Sequence, residues 1–278
     1  MWRRLKAGIN HAFGLQRPGR NVDVFPDDVF LVSYPKSGNT WTRFLVANLV
    51  YPEKGADFTN INELTPDPEA LSKRRLAQMP RPRMLKSHAY FDPRYPRVIY
   101  VVRDPRDVVV SSYHFDIKRQ LIPEDCRIQE YVPRFLRGES DHNYASWGEN
   151  VASWFYVRRN SPRFLLVRYE ELQSDGMREL GRIAEFLGIS PDPQSLALAL
   201  ERSSAKRMRE MEKSQAHRWS STKETRLDKP FVRSAKAGGW KTDLPSSCVA
   251  ELESEWGWLM KDLGYELAVS RLTEADAR

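Results

Sequence analysis

Two rhythms of apolar and polar residues alternate along the chain. Residues 29–34 (Val-Phe-Leu-Val-Ser-Tyr) form an almost unbroken apolar run, as expected of a strand covered on both faces. From Thr40 to about Tyr51 the period becomes helical, with Trp41, Phe44, Leu45 and Leu49 on one side. A short strand is predicted at residues 84–89 and a strongly apolar one at 97–102. Asp104 then stands as N-cap, Pro105 at the first helical position and Asp107 in the first turn, which together open a helix. Helical periodicity returns at 124–138, 145–160, 174–188 and 192–212, with a strand at 164–169 among them. In 174–188 the apolar face is Met177, Leu180, Ile183, Ala184 and Leu187. A closing helix carries Val249, Leu252, Trp256, Leu259 and Leu263 at steps of three and four.

Two stretches lack either period. Residues 52–82 hold Pro52, Pro66, Pro68, Pro80 and Pro82 among mixed charges, which predicts a loop. Residues 214–245 are rich in Ser, Thr, Lys, Gly and Pro. A loop of that length inside a compact domain is expected to be functional, here as a lid over bound ligands. Strands alternating with helices predict an α/β fold, with ligands at the carboxyl ends of a parallel sheet. The expected organisation is one domain over 28–268 with about four to five strands flanked by helices. A basic extension (1–27) and a tail (269–278) lie outside it.

Composition narrows the classes further. No apolar run approaches the ~18 residues of a membrane-spanning helix. Cys126 and Cys248 are the only cysteines, so a disulfide scaffold and a zinc finger are disfavoured and a reducing, cytoplasmic setting fits. The chain has 44 basic and 37 acidic residues, a net charge of +7. Arg3, Arg4, Lys6, Arg17 and Arg20 fall within the first twenty positions, where no acid occurs. The charge therefore belongs mainly to the terminus and is weak support for nucleic-acid binding. Trp2, Leu5, Ile9 and Phe13 space that terminus as a short amphipathic helix, either docked on its own domain or laid on an anionic membrane surface.

Chemistry concentrates where strands end. Residues 34–41 (Tyr-Pro-Lys-Ser-Gly-Asn-Thr-Trp) join a buried strand to a helix. Such a turn aims backbone N–H groups and the positive helix end at one spot. Gly38 permits close approach, Lys36 adds a charge, and Ser37, Asn39 and Thr40 add donors: a P-loop-like phosphate cradle. Its lysine precedes the glycine, unlike the spacing of nucleoside triphosphatases. A second anion site is read from Arg103, at the end of a buried strand, and Ser111, two turns into the next helix.

These residues resemble the cytosolic-type sulfotransferases, which use 3′-phosphoadenosine-5′-phosphosulfate (PAPS). The 34–41 loop is similar to that family's 5′-phosphosulfate loop, and the Arg103 to Ser111 stretch, continuing to Phe115, to its 3′-phosphate motif. Lys86-Ser-His88, Tyr169-Glu-Glu-Leu172 and Gly238-Gly-Trp-Lys241 resemble further family segments in the same order. The resemblance implies that residues 36–40 (Lys-Ser-Gly-Asn-Thr) hold the phosphosulfate and that Arg103 and Ser111 hold the 3′-phosphate. It also implies that Trp41 stacks on adenine, Tyr169 contacts its amino group, Ser203 lies near the base and Arg233 belongs to the 3′-phosphate site. Ser234, Ala235 and Ala205 depart from the family pattern, and Lys236 is expected to replace a lost charge.

Sulfuryl transfer to a hydroxyl needs a base and cations. His88 suits the base, with an unperturbed pKa near ~6.5. Lys86 lies two residues away on the same strand side, and Lys36 and Lys86 are assigned to developing charge. No metal is expected, and no carboxylate sits beside the cradle as a metal ligand. Tyr90, Phe91, Tyr113, Phe115, Tyr144 and Trp147 point to a small apolar or aromatic hydroxyl acceptor. A P-loop-type kinase and a nucleotide- or RNA-binding protein are the rival readings. No nucleic-acid partner is expected, whereas a homodimer and membrane contact through residues 1–20 are compatible with this reading.

Overall fold

A computed structural model describes residues 22–139, 144–190, 192–219 and 221–268. The predicted amphipathic terminus and the tail after residue 268 lie outside them. Four strands, β1 (Val29–Ser33), β2 (Met84–Ser87), β3 (Arg97–Val102) and β4 (Phe164–Arg168), form one sheet in the order β2-β1-β3-β4. Every pairing is parallel, with Val32 beside Ser87, Ser33 beside Val101 and Val102 beside Arg168. The fold is thus α/β, as expected.

Helices cover both faces. In chain order they are α1 (Asn39–Val50), α2 (Ile61–Leu64), α3 (Lys73–Ala77), α4 (Pro105–Lys118), α5 (Ile128–Leu136), α6 (Trp147–Arg158), α7 (Tyr169–Ser174), α8 (Gly176–Leu187), α9 (Pro193–Arg202), α10 (Ala205–Gln215), α11 (Trp240–Asp243) and α12 (Ser246–Asp262). Alternate strand residues split the core. Phe30, Val32, Val98, Tyr100 and Val102 pack with Val109, Phe135, Trp154 and Leu252 on one face. Val29, Leu31, Ile99, Val101 and Val167 pack with Leu45, Leu180 and Ile183 on the other. Strands buried on both faces need the continuous apolar runs seen in the sequence. A third cluster joins α1 to Phe58, Met208 and Trp219.

Buried ion pairs tie distant segments together. Arg83 meets Asp28 at 2.6 Å. Arg106 meets Asp104 and Glu253, each at 2.6 Å, with all three side chains nearly inaccessible, and its guanidinium lies over the Trp240 ring.

Several expectations change. The 192–212 helix is two helices, because Ser204 caps a new one by accepting from the Arg207 amide. The 52–82 stretch contains α2 and α3, the latter capped by Ser72. Met177 leaves the apolar face of α8 and is exposed, while Leu180, Ile183 and Ala184 are buried. The described part of 214–245 is anchored: Lys118 Nζ donates to the carbonyls of Arg226 and Lys229, both at 2.6 Å. Glu212 accepts from the amides of Phe231 and Val232. Among the described residues, no helix is long and apolar enough to cross a membrane.

Candidate active site

Four parallel strands present their carboxyl ends on one edge, and each delivers a predicted residue there. The cradle follows β1, His88 follows β2, Arg103 follows β3 and Tyr169 follows β4.

The cradle turns on two left-handed residues, Lys36 at φ +67° and Gly38 at φ +96°. A Cβ on Gly38 would come within 2.4 Å of the Tyr169 ring, so glycine is required by both conformation and space. No side chain caps α1 and no acid lies in its first turn, which leaves the first N–H groups of that helix free to meet an anion. The buried Ser37 hydroxyl and Arg103 Nε have no partner among the described residues. These orphaned donors, beside an uncapped helix end, fit a phosphate-bearing ligand.

Not every predicted donor faces the cradle. Asn39 turns inward, its Nδ2 donating to the Leu31 carbonyl and to Ser33 Oγ, both at 3.2 Å. It straps the loop to β1 and offers an anion only its backbone. Trp41 stands edge-on to Tyr169 with centroids 5.4 Å apart, and its indole N–H donates to the Ser203 carbonyl at 3.0 Å. Ser203 Oγ, fully buried, accepts from Asn48 at 3.0 Å. Trp41, Tyr169 and Ser203, which the resemblance assigns to adenine, are therefore gathered together.

Arg103 lies over the Tyr169 ring, 4.4 Å from its centroid, and donates to the carbonyls of Lys36 and Lys236. Ser111 follows Asp107 by four residues and so lies on the same side of α4. Asp107, which the sequence marked only as a helix-start acid, accepts from the amides of Gly238 and Trp240 at 2.7 and 3.0 Å. Gln173 accepts from the Ala237 amide at 2.6 Å. Together they seat the 235–240 segment against Arg103. Lys236 contributes its carbonyl there, and its side chain is exposed. The guanidinium of Arg233 pairs with Asp243 at 3.3 Å.

His88 Nδ1 lies 2.7 Å from the Ser33 carbonyl oxygen. A carbonyl only accepts, so Nδ1 carries the proton and Nε2 is left as the basic nitrogen. Burial and then the Lys86 charge push the imidazole pKa down to about 3, which keeps the ring neutral at ordinary pH. Asn150, which no motif flagged, donates to the carbonyls of His88 and Tyr144.

Lys86 pairs with the Asp67 carboxylate at 2.8 Å. Lys36 Nζ sits 3.7 Å from the Phe115 ring centroid and 4.4 Å from that of Phe231. Burial and then Arg103 lower its pKa to about 7, with Asp116 opposing. Beside it lies a cavity of about 30 Å³ lined by Lys36, Ser112, Phe115, Asp116, Arg119 and Tyr131, among others. Of the predicted acceptor aromatics, Phe115 borders this cavity and Tyr144 meets His88 edge-on at 5.5 Å. Trp147 is instead core, packed on Trp256, and Phe91 packs on Trp154. Among the described residues, no group of three or more His, Cys, Asp or Glu could hold a metal.

Known proteins share the sequence and fold of this chain. The family model described as the sulfotransferase domain matches residues 26–264. Sulfotransferase 1E1 of Rattus norvegicus is 30% identical over 264 residues, 87% of each chain. Sulfotransferase 1A1 of Mus musculus is 28% identical over 260 residues, again 87% of each. Among solved structures, mouse sulfotransferase SULT7A1 complexed with PAP is 25% identical with a TM-score of 0.67, covering 86% of both chains. Retinol dehydratase in complex with androsterone and the inactive cofactor PAP shares the fold at a TM-score of 0.71 and 23% identity, over 89% of this chain and 84% of that one. A family model that spans residues 26–264 and a relative 30% identical over 87% of each chain place this chain in the sulfotransferase family.

Proposed function

We propose that the protein transfers a sulfuryl group from PAPS to the hydroxyl of a small apolar or aromatic alcohol or phenol, with His88 as general base. The observation that carries the assignment of the base is the 2.7 Å contact between His88 Nδ1 and the Ser33 carbonyl. It leaves Nε2 unprotonated, as a proton acceptor must be.

When bound, PAPS supplies the sulfuryl group and leaves as 3′,5′-ADP. The cradle of residues 36–40, which runs into the first turn of α1, would hold its phosphosulfate. Arg103 and Ser111, with Arg233 nearby in the chain's last third, would hold the 3′-phosphate, and Trp41, Tyr169 and Ser203 the base. Lys36 and Lys86 would face negative charge developing around the transferred group. Phe115 and Tyr144 supply the apolar walls that favour an aromatic acceptor.

The test is sulfated product formed from an alcohol acceptor under saturating PAPS. His88→Ala should keep its affinity for 3′,5′-ADP while transfer falls by about 10²–10⁴, the usual worth of a positioned base. A phenol, being more acidic, should lose less. Because the His88 pKa lies near 3, its protonation should leave the wild-type rate unchanged from neutral pH down to about pH 5. Product formation by the variant at the wild-type rate would remove His88 from the reaction.

A further inference from the structure

The residues that fix Lys86 lie outside every recognisable motif. β2 is an edge strand, and the Lys86 amide donates to the Pro66 carbonyl at 2.8 Å. The segment around Pro66 therefore runs along the open edge of β2. That course brings the Asp67 carboxylate to 2.8 Å from Lys86 Nζ, with the two side chains 10% and 14% exposed. Arg43, buried on α1, grips the same segment from behind through Thr65 Oγ1 at 3.2 Å and Asn62 Oδ1 at 2.8 Å. Two residues after Asp67, Glu69 accepts from the Tyr144 hydroxyl at 2.7 Å, and the Tyr144 ring meets His88 edge-on. One short segment thus reaches Lys86 directly and the neighbour of His88 indirectly.

We propose that Asp67 is a positioning residue for the transfer reaction, its carboxylate holding the Lys86 ammonium in place beside His88. A lysine ammonium is a point charge on a flexible four-carbon stem. Its value to a transition state depends on being in place beforehand, since ordering it during the reaction would add to the barrier. The carboxylate also offsets the two neighbouring cations, Lys86 and Arg43. Burial alone would push the Asp67 carboxyl up, but Lys86 and Arg43 hold it down, so it stays ionised for this task. The inference rests on the role assigned to Lys86 above.

The test compares Asp67→Asn, Asp67→Glu, Lys86→Met and the double variant Asp67→Asn/Lys86→Met in the full-length protein. The measurements are kcat, acceptor KM and the dissociation constant of 3′,5′-ADP. Asp67→Asn should lower kcat roughly tenfold to a hundredfold, the scale of a misplaced catalytic group. Acceptor KM and nucleotide affinity should stay within about twofold, because the contact is not part of either binding surface. Asp67→Glu should recover most of the loss, and the double variant should be no slower than Lys86→Met alone. Wild-type kcat in Asp67→Asn together with a slow Lys86→Met enzyme would overturn the proposal alone. So would a double variant whose loss is the product of the single losses, since that would mark independent roles. Wild-type kcat in Lys86→Met would overturn the reading of Lys86 itself, and Asp67's role with it.

Discussion

Lys36 carries two burdens, a left-handed backbone and an ammonium enclosed by Phe115 and Phe231. Its pKa near 7, against 10.5 for an ordinary lysine, has consequences of definite sign. Between those two values the native state binds fewer protons than the unfolded chain, so this residue's contribution makes stability rise with pH across the window. Charged ligands reverse the bias, because an anion beside the ammonium raises its pKa. At about pH 8, binding of 3′,5′-ADP with inorganic sulfate should therefore take up close to one proton. Calorimetry in two buffers of different ionisation enthalpy reads that number, and Lys36→Met should abolish it. Buffer-independent heats in the wild type would show that Lys36 gains no proton.

At the level of elements, the decisive junction is that between β1 and α1. Gly38 needs a positive φ and a missing Cβ at the same time. Gly38→Ala should cost about 1–3 kcal/mol in a denaturant titration and weaken 3′,5′-ADP binding, since Tyr169 must move aside. An unchanged midpoint and affinity would mean the ring yields freely. Both β1 and β3 were legible, because strands buried on two faces need unbroken apolar runs. The end of β1, the turn into α1 and the start of α4 were legible too, through Gly38 and Asp104-Pro105. The break between α9 and α10 was not, since the capping Ser204 interrupts a periodicity that continues on either side. Ser33 and Asn150 were equally hidden. Each acts on His88 through a contact that chain order does not reveal, 55 residues away for Ser33 and 62 for Asn150.

The molecule as a whole is closed by Arg106, whose buried guanidinium joins Asp104 on its own helix start to Glu253 on α12. Arg106→Ala would leave two carboxylates buried without their cation and should cost about 3–5 kcal/mol, read from the unfolding midpoint. A loss below about 1 kcal/mol, typical of exposed pairs, would contradict its buried role. The separation of the cradle from Arg103 and Ser111 belongs to the same scale. It predicts that 3′,5′-ADP raises the melting temperature more than 5′-ADP does, and equally with or without Mg²⁺. At ~100 times its dissociation constant the ligand adds about 2.7 kcal/mol, which a thermal shift resolves. Equal shifts for the two nucleotides would remove the second anion site.

The Arg106 pair also sets a clock on synthesis. Glu253 lies 147 residues downstream of Arg106, and ribosomes add roughly 5–20 residues per second. For roughly 7–30 s, on that scale, the emerging chain carries Asp104 and Arg106 without their partner on α12. During that interval the sides of α4, α5 and α6 later covered by α12 are open, their apolar residues accessible to chaperones or to other nascent chains. A chain interrupted before residue 246 would therefore carry Lys36, Arg103 and Tyr169 without the helix that packs on Phe135 and Trp147.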